Sequence, residues 1–183
     1  MVVEILEFSQ AAEWESWLTE HQDQQVQAWL RVGKKRSAVA LITIAEAADV
    51  GLCFGWIDGQ RKGLDQDSFL QRYSRRRARS SWSLINVQKA EALMAAGRMR
   101  PSGLVEVDAA KADGRWAAAY EPQRTASVPA ELTVALESDP VARAAFEGLG
   151  RSERYLLILP LLRSVTVEAR AKALARILAQ LSG

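Results

Sequence analysis

The sequence predicts an α+β fold: a small antiparallel sheet with helices, followed by an all-helical C-terminal domain. Three observations carry this. Two segments with β character flank a turn rich in Gly and Asp, at Gly63–Asp67. Apolar residues recur at helical spacing on either side of them, with recognisable start and stop residues. From Trp82 onward the period is helical throughout. The division predicted is residues 1–82, an α+β domain with a basic β-hairpin, and residues 83–183, a helical domain.

The elements follow in order. Val2–Phe8 reads as a short extended entry. Ser9 is placed to cap a helix in which Trp14, Trp17, Leu18 and His21 share a face. Gln25–Val32 suits a strand and Gly33–Ser37 a loop. Thr43 followed by Glu46 is a capping box, which starts a helix near Ile44. Gly55 ends that helix, because glycine takes the left-handed conformation without steric cost. Trp56–Lys62 and Ser68–Arg75 are the two strands of the hairpin. Strict alternation would put Trp56, Asp58, Gln60 and Lys62 on one face and Ile57, Gly59 and Arg61 on the other. Gly59 would leave room for a close approach.

Asn86 is read as the cap of a helix ending at Gly97. A second helix spans Pro101–Asp113, with Pro in its first turn and Gly114 at its end. Helices are then predicted at Ala130–Glu137, Pro140–Leu149, Ser152–Arg163 and Val167–Leu181. Pro160 should end or kink the third of these, since it lacks the N–H of a helix interior.

Composition narrows the function classes. The chain has 183 residues, 49% hydrophobic and 25% charged, which is globular composition. The apolar run Leu156–Leu162 is far short of the roughly 20 residues of a membrane span. The N-terminal segment has no basic region of the kind that opens a secretion signal, and one cysteine allows no internal disulfide, so the expected compartment is the cytoplasm. The net charge is +2, yet Gln60–Arg79 holds seven Lys or Arg against two Asp. That segment is +5 and the remainder −3, and a concentrated positive patch attracts polyanions.

With one His and one Cys, a typical zinc site is excluded. No Gly-rich nucleotide loop occurs. Cys53 lies near a helix C-terminus, where the dipole disfavours a thiolate, which speaks against a Cys53–His21 mechanism. No cofactor, metal or catalytic residue is therefore assigned. Asp113, Arg115 and Trp116 read as a helix stop followed by a packing aromatic.

The candidate binding surface is Trp56, Asp58, Gln60, Arg61, Arg72, Tyr73, Arg75 and Trp82. Two readings stay open for its cations. They are a grip for phosphate or another anion, with Tyr73 and Trp82 available to stack on bases, or a solvated strand end whose arginines pair with carboxylates. Trp56 and Asp58 likewise serve either a pocket wall with an orienting carboxylate or core packing with a local ion pair. Partners compatible with this patch are an anionic ligand, a protein or a nucleic acid. A further alternative is an enzyme with a pocket between the two halves and Asp58 as its acid or base.

Long strings then carry a resemblance. CFGWIDGQ (Cys53–Gln60), LQRYSRRR (Leu70–Arg77), SSWSLIN (Ser80–Asn86), EALMAAGRMRPSGL (Glu91–Leu104) and AKADGRWAAAY (Ala110–Tyr120) resemble the bacterial YdeI/OmpD-associated, or OmdA, bacteriocin-protection family. The likeness is densest from Ala45 to Tyr120. It continues through VPAELTVAL, DPVARAAF, SERYLLIL and EARAKALARI. The resemblance implies a non-enzymatic binding protein acting in bacteriocin, antimicrobial-peptide or envelope stress protection. It brings no catalytic residues and no cofactor.

Overall fold

The computed structural model describes residues 4–183, and it divides into two compact units. Unit 1 comprises Met1–Ser80 and Gln88–Ala109; unit 2 comprises Ser81–Val87 and Ala110–Gly183. The class is α+β, with the sheet at the N-terminal end and helices alone beyond it.

Unit 1 opens with β1 (Ile5–Glu7), α1 (Ala11–His21) and β2 (Gln27–Gly33). Of the extended entry expected over Val2–Phe8, Val2 and Val3 lie outside the described residues. β1 runs parallel to β2, with Ile5 opposite Trp29 and Glu7 opposite Arg31. The sheet is therefore mixed, not purely antiparallel: α1 is the crossover that parallel neighbours need. The helix begins one residue later than expected, with Gln10 as N-cap. The Glu13 carboxylate accounts for this by accepting the backbone N–H of Ser9 at 2.7 Å and that of Gln10 at 3.3 Å.

Next come α2 (Ile44–Cys53), β3 (Trp56–Gly63) and β4 (Ser68–Arg75). The capping box is formed: Thr43 N–H donates to Glu46 Oε2 at 2.9 Å, and Glu46 N–H donates to Thr43 Oγ1 at 3.3 Å. Gly55 has φ +74°, as the helix stop requires. The strand order is β1–β2–β4–β3, with β4 antiparallel to both neighbours.

The core of unit 1 is aromatic. Trp14, Trp56 and Tyr73 are fully buried, with Leu18, Leu30, Val32, Ala47 and Val50 around them. The Trp14 and Trp56 rings meet edge-to-face at 6.1 Å. Trp14 Nε1–H donates to the Ala47 carbonyl at 3.2 Å, so its polar edge is satisfied inside the core. The helices α3 (Leu84–Ala95) and α4 (Pro101–Ala112) follow. Ser83, not Asn86, caps α3: its hydroxyl accepts the Asn86 N–H at 3.2 Å.

Unit 2 contains α5 (Ala130–Ser138), α6 (Pro140–Gly148), α7 (Arg151–Leu162) and α8 (Val167–Ser182). Asp139 caps α6 by accepting the N–H groups of Val141 and Ala142 at 3.1 and 3.0 Å, with Pro140 in the first turn. The core is mainly aliphatic, built on Leu132, Leu136, Leu157, Ile158, Leu161, Ile177 and Leu181, with Phe146. Pro160 lies inside α7, which continues two residues beyond it.

Candidate functional site in the basic hairpin

The hairpin owes its shape to an extra residue in β3. Asp58 opposes Tyr73 and Arg61 opposes Gln71, so Gly59 and Gln60 together face Arg72 as a β-bulge. Beyond the bulge the parity of β3 reverses. Arg61 therefore joins the face of Trp56 and Asp58, and Lys62 joins the face of Ile57. This corrects the strict alternation expected from the sequence.

Gln71, almost fully buried, holds the bulge. Its Nε2 donates to the Gly59 carbonyl at 3.0 Å, and its Oε1 accepts from Arg61 Nε at 3.1 Å. One buried amide thus satisfies the backbone freed by the bulge and fixes the neighbouring cation. Gly59 is where Arg72 comes close: a Cβ there would lie 3.3 Å from Arg72 Nη2.

At the other end, Asp65 orders the turn. Its Oδ1 accepts the N–H groups of Asp67 and Ser68 at 2.9 and 2.7 Å, while its Oδ2 meets Arg31 Nη2 at 2.8 Å. These donors, the Ser68 hydroxyl first, lower its pKa to about 2. Arg31 also bonds Glu7 at 3.1 Å and so ties β1 to the hairpin turn.

The remaining cations are arranged differently. Among the described residues, Arg61, Lys62, Arg72, Arg75, Arg77 and Arg79 make no ion pair with a carboxylate. Arg61 lies over the Phe69 ring at 4.4 Å, and Lys62 over the Trp29 ring at 4.6 Å. Such placement keeps the charge available while burying the alkyl stem. Arg72 Nε and Arg75 Nη2 are buried atoms with no hydrogen-bond partner among the described residues.

The sequence-predicted residues are thus distributed as follows. Trp56 and Tyr73 are core residues beside Trp14. Burial, followed by the charge of Asp58, pushes the Tyr73 phenol up, so it stays protonated at ordinary pH. Asp58, Gln60 and Arg61 are exposed; Arg72 and Arg75 are half-buried. Strand parity sets Arg75 on the face of Trp56 and Arg72 on the opposite face, where it opposes Trp29 on β2. Trp82 belongs to unit 2, where it packs on Trp116 at 4.8 Å.

Two residues of the site were not singled out from the sequence. Trp29 and Gln71 gain their roles from partners across the sheet, and no spacing along the chain reveals those. Elsewhere in unit 1, burial raises the Cys53 thiol pKa. His21 stacks on Trp17 at 4.7 Å, with Nδ1 2.9 Å from the Trp17 carbonyl. Among the described residues, no cluster of His, Cys, Asp and Glu could hold a metal ion, and no helix is long and apolar enough to cross a membrane.

Two family models match the chain. Residues 6–106 match a family described as Domain of unknown function (DUF8412). Residues 125–183 match the family described as Bacteriocin-protection, YdeI or OmpD-Associated. The OmdA resemblance thus stands over the C-terminal part, whereas the segment Ala45–Tyr120, where the likeness was expected to be densest, falls mostly within the other match. No curated protein and no solved structure matches the chain.

Proposed function

Since the chain belongs to the family described as Domain of unknown function (DUF8412) and carries an OmdA match at its C-terminal end, we propose a non-enzymatic binding protein that takes an anionic ligand or partner on the β3–β4 hairpin. The observation that carries this reading is a set of six cations without a carboxylate partner among the described residues: Arg61, Lys62, Arg72 and Arg75 on the hairpin, and Arg77 and Arg79 just after it. Cations needed to hold a fold are normally paired or bonded to carbonyls. Arg61 and Lys62 lie over rings, Arg61 also bonds the Gln71 amide, and Arg72 passes close to Gly59, so their charge remains for something else. The setting we infer is the cytoplasm, and the role the bacteriocin protection that the C-terminal family's description names, or a related envelope stress response.

A second reading narrows the ligand to single-stranded nucleic acid. It is favoured by Lys62 and Arg72 standing together on one sheet face beside the buried Trp29, since neighbouring cations suit a phosphate backbone. The test is fluorescence anisotropy of labelled single-stranded RNA and DNA, with inorganic polyphosphate as competitor, over a salt series. Binding that weakens steeply with salt and is lost in Lys62→Ala/Arg72→Ala supports the hairpin as an anion site. Displacement of the oligonucleotide by polyphosphate at equal charge favours the broader reading; resistance favours nucleic acid. Binding unchanged in the double variant removes this face from the account.

A further inference from the structure

A second surface, in unit 2, is independent of the hairpin. The helices α7 and α8 are separated by an open groove of about 740 Å³. One wall is a face of α7 with Leu156 and Pro160, continued by Leu149 just before the helix; the other is a single face of α8 with Ala169, Ala173 and Ile177. Two of the α8 lining residues are alanines, whose small side chains fill little of the space. Leu156 is 66% exposed at this wall, where a core leucine would be covered.

The charges at the rim determine what fits. Lys172 and Arg176, one turn apart on α8, border the groove, and among the described residues neither has a carboxylate partner. The rim carboxylate, Glu153, is occupied in capping its own helix, where Oε2 accepts the Gly150 N–H at 2.7 Å. The groove is therefore an apolar channel with two free positive charges along one edge. It runs the length of α7, whose 12 residues span about 18 Å.

We propose that this groove docks an acidic amphipathic helix of a partner protein. Its apolar stripe would fill the channel, and Glu or Asp residues four apart would face Lys172 and Arg176. A second copy of this chain fits less well, because a two-fold dimer closed over the groove would bring four unpaired cations into one seam.

The test uses the full chain and two synthetic 16-residue helical peptides with the same leucine stripe. One carries Glu along the flanks and the other Lys. Fluorescence titration should show the Glu peptide binding at least tenfold more tightly than the Lys peptide. Lys172→Glu/Arg176→Glu should reverse that preference, and Leu156→Glu should weaken both peptides tenfold or more. Circular dichroism should show unchanged folding in each variant, since all three side chains are at the groove rim or wall. Equal binding of both peptides, or no binding of the Glu peptide at millimolar concentration, would overturn the proposal. So would a dimer in sedimentation that Leu156→Glu dissociates, because the groove would then serve self-association.

Discussion

The two units use their arginines in opposite ways. In unit 2 they secure helices. Arg170 bonds Glu131 and the Ser164 carbonyl, Arg154 donates to the Phe146 carbonyl at 3.1 Å, Arg151 donates to the Arg124 carbonyl at 2.8 Å, and Arg143 pairs with Glu147 at 3.1 Å. Lys172 and Arg176 at the groove are set apart from this group. In unit 1, Arg31 and Arg100 serve structure through carboxylates, but the six cations on and just after the hairpin do not. The lesson is that charge density alone does not identify a binding surface. What sets Arg61 and Lys62 apart is that a ring or an amide positions each of them while no carboxylate among the described residues neutralises it.

The cores differ too, and this gives the largest expected effect. Trp14→Ala removes the ring shared by Trp56 and Tyr73 and its bond to Ala47. It should cost about 3–5 kcal/mol in guanidinium denaturation and unfold unit 1 first. A smaller cost comes from Gly103→Ala in α4, where a Cβ would lie 2.1 Å from the Cys53 carbonyl oxygen. Backbone cannot yield as a side chain does, so a loss of about 2–3 kcal/mol is expected. In unit 2 the same change at Gly148, with open space around it, should gain about 0.5 kcal/mol by raising helix propensity. A destabilised Gly148→Ala would mean that the helical unit is packed as tightly as the sheet.

Arginine replacements sharpen the contrast directly. Arg170→Ala should cost about 1 kcal/mol, a modest figure because the pair is partly exposed to solvent. Arg72→Ala should change stability by less than about 0.5 kcal/mol, or raise it, since a buried unsatisfied Nε is removed with the side chain. The smallest effect is a pH dependence. Asp65 titrates near 2 in the folded hairpin, below its ordinary 3.8. Its contribution is therefore full above about pH 4 and disappears as pH falls toward 2. Melting curves of the native chain and Asp65→Asn should differ by a constant amount above pH 4 and converge near pH 2.

Local signals were legible where a residue type answers a local need. Thr43 with Glu46 marked the start of α2, and Gly55, Gly97 and Gly114 all take the positive φ that helix ends require. The hairpin strands, the α+β class and the run of C-terminal helices followed from periodicity. Parallel pairing of β1 was not legible, because it depends on where α1 returns the chain. Nor was the bulge. Counting by twos carries no sign of an inserted residue, although Gly59 hinted at a close approach, and Arg72 is what approaches. The separation of Arg72 from Arg75 was available from parity alone, since strand residues three apart point to opposite faces. Placement of Trp82 in unit 2 required tertiary packing against Trp116, which no pattern along the chain reveals.

The most direct test of the free-cation claim is a nitrogen-detected or ¹⁵N–¹H correlation titration of the arginine Nε–H signals. The titrant would be a single-stranded oligonucleotide, and in a second arm inorganic polyphosphate. The signals of Arg61 and Arg72 should shift with added anion, while those of Arg154 and Arg170 in unit 2 remain still. Shifts spread evenly over both units, or none at Arg61 and Arg72 at saturating anion, would contradict it.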